Sequence, residues 1–538
     1  MSCFLLIFMK NNILKYIFFI FIILIAIVTV YVLNNREKSK EENVENVAVK
    51  EETELEQTLN LGIAEFDTMN PILSRNKYVQ NISKLIYEPL INIDNNYKLQ
   101  NCIASEWAKT SETTYVIKLK ENVTWSNGVN CTAEDVLYTI DKLKENVNSN
   151  IYIYNVQYII QAEVVDKYTI KITLSQEIPF FEYNLNFPVM CKSYFGEEDF
   201  VNSEKSKMPI GTGKYRITEL QADRIILIKR ENYWAEKDSK IETIKINLYD
   251  SIGEMYNDFK LGKLELISTT NVNIENYIGT IGYNKIEDIG REYDYLAFNM
   301  ENPVLSNPEV RQAIACAIDK NAIISSIYNG KYSIADFPLP RTSWLYQGNN
   351  ENKYDLERAK QILQENGWEY KYNYWQKYVN YYTRKLNLKL VVNSSNQVRE
   401  SVAEMIKNQL EAIGIKVTII KANDYTYNNY KTNKNYDMIL CGTYLGTSPD
   451  LTRYFAEGNL AKFQNGEAQA IVNDLKNITD EELLKQKYKR LYEIYTSENP
   501  YVSLYFSYDI TAYTKGLSGS VSANWYNMFS GIENWSKK

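Results

Sequence analysis

Histidine is absent from this chain of 538 residues, and the absence limits the chemistry that the protein can perform. Ser-His-Asp and Cys-His catalysis both need an imidazole as the base, and catalytic zinc sites lose their usual nitrogen ligand. Catalysis by carboxylates or by lysine is left open, but the sequence contains no motif for it. We therefore expect no enzyme activity, no metal site and no cofactor.

Cysteine chemistry is also poorly supported, because no CxxC pair occurs. Cys316 and Cys441 lie inside apolar runs and are expected to be small buried side chains. A disulfide among Cys102, Cys131 and Cys191 would be possible outside the cell, and the sequence does not decide between pairing and free thiols.

Residues 436–455, YDMILCGTYLGTSPDLTRYF, have the composition of a binding segment. Asp437–Leu440 is typical of a short buried strand, and no further charged residue occurs until Asp450. Such a stretch exposes backbone amides and one aromatic ring at the end of the strand. Ligands of open α/β sheets lie beyond the carboxyl ends of the strands. We therefore expect Gly442–Asp450 to lie beside a ligand.

The segment before it predicts the sheet that would position this strand. Residues 386–392 alternate between apolar and polar types and predict a strand. Residues 402–413 have the apolar spacing of a helix that ends at Gly414, and residues 415–419 predict a second strand. Tight connections in such a unit imply parallel strands and a right-handed crossover. Residues 437–440 would add a further strand to the same sheet.

Other elements are predicted along the chain from alternation, capping and helical spacing. Thr132–Asp135 fits a capping box that begins a helix. A second helix begins at Pro308 with a stop at Gly330, and a third begins at Asp355 and ends at Gly367. Strands are predicted at Thr58–Ile63, Thr114–Leu119, Arg224–Lys229 and Lys240–Leu248.

The overall composition is that of a globular protein. The chain is 45% hydrophobic and 24% charged, and its length corresponds to roughly three or four domains. The formal charge of −7 argues against a nucleic-acid partner, since DNA and RNA binding depends on concentrated positive charge.

The N-terminal region predicts a membrane anchor. Ile13–Leu33 is nearly continuously apolar and holds no charge for 18 residues from Tyr16 on, which is enough for one helical span. Lys10 and Lys15 precede the span, so residues 1–12 are expected to be cytoplasmic and the remainder of the chain extracellular.

A cleaved signal peptide is the alternative, but VTVYVLNN at the end of the span offers no small-x-small cleavage site. Met9 begins MKNNILKY, a conventional basic start, and translation is expected to begin there. Residues 34–56 are charged and contain no aromatic residue, glycine or proline, so they predict a solvated tether.

Seven stretches in chain order together resemble one protein family. They are LIYEPL (85–90), ASEWAKTSETTYVIKLKENVTWSNGVNCTAEDV (104–136), PIGTGKYRI (209–217), NPEVRQAIACAIDKNAII (307–324), DLERAKQILQENGW (355–368), SVAEMIKNQLEAIGIKVTI (401–419) and YDMIL (436–440). The collinear set resembles the family 5 solute-binding proteins, the oligopeptide- and dipeptide-binding subunits of ABC importers, over residues 57–535.

The resemblance implies an α/β, two-lobed type II periplasmic-binding-protein fold with three domains, built of mixed sheets flanked by helices. One lobe would combine domain I, residues 57–88, 208–295 and 505–538, with an inserted domain II, residues 89–207. Domain III, residues 296–504, would form the other lobe. One N-terminal transmembrane helix would precede the three domains.

The resemblance also implies what the protein does. It would capture oligopeptides in a cleft between the lobes and deliver them to ABC permease subunits, as a monomer anchored at the membrane of a Gram-positive cell. The same fold could instead bind a glycan fragment or a metal chelate. A membrane-tethered peptide sensor without a permease is a further alternative.

Peptide-binding relatives hold an extended peptide mainly through main-chain hydrogen bonds. One segment with this role follows an Asp-Pro or Asn-Pro pair, and here it gives the candidates Arg75, Asn76, Lys77 and Tyr78.

The second segment follows the YD strand and gives Gly442, Thr443 and Tyr444. Peptide binders of this family commonly place an aspartate two residues later, where it pairs with the free ammonium of the peptide. Gly446 occupies that position here, and Thr443 replaces the usual tryptophan. Either Asp450 takes the role of the aspartate, or the ligand has no free ammonium at this place.

Two other polar or aromatic stretches are interpreted as structural. Trp525 and Tyr526 are expected to pack in the core rather than line the cleft. Lys229–Glu231 is expected to be a solvated surface run.

Overall fold

The computed structural model describes residues 57–537, apart from 147, 149, 199–200, 236–237, 350–353 and 380, together with residues 23, 25 and 27–32. The predicted N-terminus and tether lie outside the described residues, as does most of the predicted span at 13–33. Within the described part of the chain, no helix is both long enough and apolar enough to cross a bilayer. Leu59–Ser536 forms one compact unit.

The unit contains both helices and strands. The helices are α1 (Lys77–Ile86), α2 (Ala133–Glu145), α3 (Ile153–Val156), α4 (Lys192–Phe195), α5 (Ile252–Lys260), α6 (Glu275–Ile278), α7 (Pro308–Ala317), α8 (Lys320–Tyr328), α9 (Leu356–Glu365), α10 (Gln397–Ala412), α11 (Asp424–Asn433), α12 (Thr452–Phe455), α13 (Gly466–Asp474) and α14 (Glu481–Glu498). The strands are β1 (Thr58–Ala64), β2 (Ile91–Ile93), β3 (Leu99–Asn101), β4 (Ala104–Ser111), β5 (Thr114–Leu119), β6 (Ile159–Asp166), β7 (Thr169–Leu174), β8 (Tyr215–Leu220), β9 (Arg224–Lys229), β10 (Thr243–Tyr249), β11 (Leu266–Thr269), β12 (Tyr283–Phe298), β13 (Ser333–Ile334), β14 (Glu369–Lys371), β15 (Tyr374–Val379), β16 (Tyr382–Lys385), β17 (Asn387–Asn393), β18 (Lys416–Ala422), β19 (Met438–Tyr444), β20 (Tyr501–Thr514), β21 (Leu517–Ser518) and β22 (Ser536–Lys537).

One mixed sheet of eleven strands is the framework, in the order β18-β17-β19-β12-β20-β11-β1-β10-β9-β8, with β13 paired to β20. β17 pairs in parallel with both β18 and β19, and α10 connects β17 to β18. The predicted strand–helix–strand unit is therefore confirmed. Its apolar residues are buried in one cluster, which includes Leu388, Leu390, Val402, Ile406 and Leu410.

Two long antiparallel strands, β12 and β20, join the two halves of this sheet. The C-terminal half of β20 also pairs with β11, whereas the C-terminal half of β12 also pairs with β19. The register shifts between Ile289 and Tyr293 of β12, so that Gly290–Glu292 stands opposite Ser507 alone. A β-bulge of this kind interrupts the ladder and changes the direction in which side chains point.

A separate antiparallel sheet, in the order β4-β5-β7-β6, lies between residues 104 and 174. Helix α2 buries Val136 and Ile140 in the same cluster as residues of this sheet. The predicted capping box is present, since the Asp135 carboxylate accepts a hydrogen bond from the Thr132 backbone N–H at 2.8 Å.

The helix predicted over Pro308–Gly330 is two helices, α7 and α8. They are separated at Asp319, whose carboxylate accepts a hydrogen bond from the Ala322 backbone N–H at 3.0 Å. An aspartate at this position satisfies a free N–H group of a new helix, so it begins a second helix rather than continuing the first. The prediction of one continuous helix was wrong for this reason.

The strand predicted over Asp437–Leu440 is also longer than expected. β19 continues to Tyr444, because its last residues pair with β12 as far as the partners Glu292 and Tyr444. Gly442 and Thr443, expected in an open turn, therefore lie inside the sheet. The turn begins only after this point.

Two smaller expectations are settled by burial. Cys102, Cys131 and Cys191 are free and buried, and Cys441 is buried as expected, whereas Cys316 is half-buried.

Arg230 was expected on a solvated surface, and this was wrong. Its guanidinium is buried because it donates hydrogen bonds to the backbone carbonyls of Thr212, Gly213, Thr124 and Trp125.

A buried ion pair connects α10 to the central strand β12. The Nε and Nη2 atoms of Arg399 donate to the two carboxylate oxygens of Asp294, each at 2.8 Å. The guanidinium passes directly over Gly442, where an added Cβ would lie 1.7 Å from Arg399 Nη2. The guanidinium of Arg399 can therefore come this close to the strand only because residue 442 is glycine.

We predict that Asp294→Asn lowers the free energy of unfolding by about 3 kcal/mol, because it leaves a largely buried guanidinium without its charge partner. Glu467→Gln is the matched control, since Glu467 forms a similar bidentate pair with Arg490 at the surface. The carboxylate side chains are 7% and 52% exposed, respectively. The control should lower the stability in urea denaturation much less, because exposed ion pairs contribute little, and equal losses for both variants would contradict the prediction.

Candidate ligand-binding cavity

A cavity of about 550 Å³ lies beside the β12 bulge and the end of β19. Its wall combines one face of α1, the segments near Tyr152 and Asn186, the bulge residue Arg291, residues 444–448 and the pair Trp525–Tyr526. These parts are distant in sequence, and the central sheet and α1 bring them together.

A smaller cavity of about 180 Å³ adjoins the first. The two cavities share the backbone segment Gly446–Ser448, which lies between them. Asp450 and Tyr97 line the smaller cavity. The segment expected beside a ligand therefore faces both cavities.

Of the four candidates near α1, one lines a cavity and one is exposed to solvent. Lys77 lines the large cavity, and its Nζ lies 2.6 Å from the Asp509 carboxylate. Arg75 is exposed and donates a hydrogen bond to the Asn148 carbonyl at 3.1 Å.

The other two candidates support the start of α1. Asn76 is the N-cap, accepting a hydrogen bond from the Tyr78 backbone N–H at 2.8 Å and donating to the carbonyls of Ala64 and Glu65. Burial raises the pKa of Tyr78, which packs against the core near Tyr256. The structure therefore brings Lys77, but not Asn76 or Tyr78, to the cavity wall.

The candidates after β19 divide in the same way. Tyr444 and Gly446 line the large cavity, and Tyr444 is 64% exposed. Gly442 is covered by the Arg399 guanidinium. Thr443 accepts a hydrogen bond from Arg453 Nη1 at 3.3 Å.

Asp450, the candidate ammonium partner, belongs to the smaller cavity. Its Oδ1 accepts hydrogen bonds from the Thr452 backbone N–H at 2.9 Å and from the Thr452 hydroxyl at 2.5 Å. Gly446 lies on the wall that the two cavities share. Asp450 and Lys77 are therefore placed on different cavities.

Arg291 is part of the wall of the large cavity. Its backbone carbonyl accepts a hydrogen bond from the Leu445 N–H at 2.8 Å, which ties the bulge to the segment after β19. Its guanidinium carbon lies 4.5 Å from the centre of the Tyr444 ring and 5.0 Å from that of the Trp525 ring. These distances are typical of cation–π contacts.

Trp525 and Tyr526, which were expected in the core, pack against a core cluster and also line the cavity wall. Trp525 stacks on Tyr97 at a centroid distance of 4.2 Å, and its backbone N–H donates to the Asp288 carboxylate at 2.8 Å. Trp525 is thus packed on Tyr97 while Arg291 lies over its ring. The sequence pattern alone does not distinguish this position from a core position.

Lys84 is a further wall residue that the sequence analysis missed. Its Nζ lies 3.5 Å from the centre of the Tyr526 ring and donates a hydrogen bond to the Tyr526 carbonyl. Burial, and secondarily the charge of Arg291, lower the pKa of Lys84 to about 7. A signal for this residue exists, because Lys77, Asn81 and Lys84 recur at the spacing of one helix face.

Comparison with known families matches residues 98–459 to the family described as bacterial extracellular solute-binding proteins, family 5 Middle. The oligopeptide-binding protein AppA of Bacillus subtilis is 23% identical over 483 residues, which cover 85% of this chain and 87% of AppA.

Solved structures show the same fold. The periplasmic murein tripeptide-binding protein MppA, in an unliganded open form, aligns with a TM-score of 0.78 at 16% identity, covering 90% of this chain and 97% of MppA. NikZ of Campylobacter jejuni, in complex with Ni(L-His), aligns with a TM-score of 0.61 at 22% identity, covering 90% of this chain and 100% of NikZ. The expected α/β fold of the periplasmic-binding-protein type is confirmed.

We predict that Lys84 titrates near pH 7 instead of near its ordinary pKa of 10.5. Reductive methylation with ¹³C-formaldehyde followed by NMR would resolve the titration of individual lysines. Arg291→Gln removes the positive charge that helps to lower the pKa of Lys84, so it should raise this pKa. Arg490→Gln, a change at the surface, should leave the pKa of Lys84 unaltered. A Lys84 signal that titrates near 10.5 in the unaltered protein would refute the assignment.

Proposed function

The chain belongs to family 5 of the bacterial extracellular solute-binding proteins, which are binding proteins and not enzymes, and we propose that it captures oligopeptides in the large cavity and delivers them to an ABC permease.

The position of Gly446–Ser448 between two adjoining cavities is the observation that supports this proposal. A backbone segment that emerges from the end of a strand can continue the hydrogen bonding of the strand to an extended peptide. Such bonding is indifferent to the side chains of the peptide, which would occupy the cavities on either side. The larger cavity, at about 550 Å³, has the size of a ligand site.

We propose that the predicted domains act as the moving parts. An ion pair connects the region of residues 89–207 with that of residues 296–504, where Glu177 lies 2.6 Å from Lys476. Lys109, in the same region as Glu177, also lies 2.6 Å from it. A ligand that contacts both regions would stabilise the closed state, because it binds that state better than an open one.

Attachment to the membrane is part of the proposal. Ile13–Leu33 would anchor the chain as a single-pass helix, with the binding domains outside the cell. The permease subunits would then meet a binding protein that cannot diffuse away. The chain would act as a monomer.

A metal chelate or a glycan fragment is the second candidate ligand. NikZ, of similar fold, is described in complex with Ni(L-His). Tyr444, Trp525 and Tyr526 on the cavity wall could also stack on sugar rings. A tethered peptide sensor without a permease would use the same cavity, and co-purification of the chain with permease subunits would distinguish the two roles.

We predict that the purified full-length chain carries a heterogeneous pool of short peptides. The protein would be washed in detergent and then denatured, and the released material would be identified by mass spectrometry. Tyr444→Ala should reduce the recovered peptides several-fold, because it removes an exposed ring of the wall close to Gly446–Ser448, whereas Tyr372→Ala, an exposed ring outside both cavities, should not. Recovery of a single chelate or glycan species instead of peptides would overturn the peptide assignment.

We predict that Glu177→Gln weakens peptide binding about threefold. An ion pair near the protein surface is worth up to about 1 kcal/mol, and the ion pair of Glu177 connects two regions that must close together. Lys109 and Lys476 lower the pKa of Glu177. Its contribution should therefore be complete above the ordinary pKa of 4.5 and be lost as the pH falls through the lowered pKa.

The control for Glu177 is Glu163→Gln, because Glu163 pairs with Lys171 within one sheet. That change should leave peptide affinity unaltered in isothermal titration calorimetry. Small-angle X-ray scattering would report whether Glu177→Gln favours a more open shape. Identical affinities and identical scattering for both variants would argue against a closing role of Glu177.

A further inference from the structure

We propose that the large cavity binds a carboxylate of its peptide ligand at a corner formed by Arg291, Trp525 and Lys84, which we call the cationic corner. The proposal rests on the proposed function for the peptide nature of the ligand. The carboxylate would come either from the C-terminus of the peptide or from an acidic side chain. The rest of the peptide would extend along Gly446–Ser448.

Unpaired hydrogen-bond donors mark this corner. Arg291 Nε and Trp525 Nε1 are both buried and have no hydrogen-bond partner among the described residues. The hydroxyl of Tyr97, on the ring that stacks against Trp525, is equally unpaired there. Buried donors without an acceptor are costly and uncommon in native proteins. A ligand that brings acceptor oxygens would satisfy them after a small shift of these side chains, because each of the three atoms has almost no accessible surface in this structure.

The charges of the wall have one sign. The residues that line the large cavity include Lys77, Lys84 and Arg291, but neither aspartate nor glutamate. Lys77 is neutralised by Asp509 at 2.6 Å. Within the described residues, Lys84 and Arg291 have no such carboxylate partner. Two cationic side chains therefore line the cavity without a carboxylate partner, and of these Arg291 is the one that is fully charged at neutral pH, since the pKa of Lys84 is lowered to about 7.

The nearby carboxylates are directed elsewhere. Asp288 accepts a hydrogen bond from the Trp525 backbone N–H at 2.8 Å. Glu292, which follows Arg291, lines a different cavity together with Asp294 and Arg399. Neither carboxylate lines the large cavity, so the cationic corner is compensated only when a ligand supplies the charge.

The geometry also predicts a protonation change on binding. Lys84 and Arg291 line the same cavity, and Lys84 packs on Tyr526, with Tyr152 on the same wall. A carboxylate placed between Arg291 and Lys84 would offset their mutual repulsion and raise the pKa of Lys84. Binding above pH 7 should then take up a proton, and the affinity for acidic ligands should fall as the pH rises from 7 to 9.

The test uses the full-length chain in detergent after removal of bound material. The probes are two pools of random tri- to pentapeptides, identical in composition, one with a free C-terminal carboxylate and the other amidated. Affinity-selection mass spectrometry identifies the bound peptides, and calorimetry measures the best peptide of each pool. To separate the two sources of carboxylate, the selected peptide is also prepared amidated with either glutamate or glutamine at each position.

The expected result is that the acid form binds at least about tenfold more tightly than the amide, as charged hydrogen bonds imply. If an internal glutamate restores the affinity of the amidated peptide, an acidic side chain is the source. Arg291→Gln should lower the affinity for the acid form about tenfold and for the amide less than about twofold, and Arg291→Lys should recover part of the loss. Arg490→Gln should change neither.

The outcomes separate the two levels of the proposal. Equal binding of acid, amide and glutamate-containing forms would overturn the cationic corner while the peptide function stands. No binding of any peptide form would overturn the peptide function. Because Arg291→Gln could also disturb folding, thermal unfolding of each variant is compared, and calorimetry of the unaltered chain in buffers of different ionisation enthalpy measures the proton uptake independently. Absence of proton uptake by an acid peptide at pH 8 would also contradict the proposal.

Discussion

The candidate site depends on the antiparallel pairing of β12 with β20. These strands are the connection between the half of the sheet that contains β11 and the half that contains β19. Their ladder shifts register twice, between Ile289 and Tyr293 and between Asp294 and Tyr295, and at the first shift Gly290–Glu292 stands opposite Ser507. A side chain at Gly290 would meet Ser507 Oγ at 2.9 Å, so the bulge requires a residue without a Cβ at this point. The interruption frees Arg291 from regular alternation and places it on the cavity wall.

Two arginines close to each other in the fold show two ways of accommodating a positive charge. Arg399 is compensated within the protein, because both oxygens of Asp294 accept its hydrogen bonds. Arg291 lies between the rings of Tyr444 and Trp525, which attract a cation but accept no N–H···O hydrogen bond. The first arrangement is complete without a ligand and serves the stability of the sheet. The second leaves hydrogen-bonding capacity available, which is what a binding site requires.

The sequence predicted the local elements well where a periodic pattern and a capping residue agree. The unit from β17 to β19, the capping box at Thr132 and the helix start at Pro308 follow from residues that interact within a few positions. The division of α7 from α8 was missed, because Asp319 has to be recognised as a cap inside an apolar pattern. The length of β19 was missed because its last residues are held by pairing with β12, a partner distant in sequence.

The cavity was predicted less completely for the same physical reason. Lys77, Tyr444 and Gly446 were named from the resemblance and do line the cavity, although their role in binding stays a prediction. Arg291 depends on a register shift between two strands, and Trp525 depends on a stack with Tyr97 more than 400 positions away. Neither the shift nor the stack has a local sequence signal.

The cationic corner also has to act against the charge of the whole protein, which is −7. Screening limits interactions between exposed charges to about 8–10 Å at ordinary ionic strength, so the surface carboxylates neither attract nor strongly repel a distant acidic peptide. The charge of Arg291 is felt chiefly after the ligand has entered the cavity and water has been displaced, where electrostatic interactions are stronger than in bulk solvent. Selectivity for a carboxylate would therefore arise in the bound state and slow its dissociation, rather than accelerate the encounter, since steering needs a field that extends beyond the protein surface.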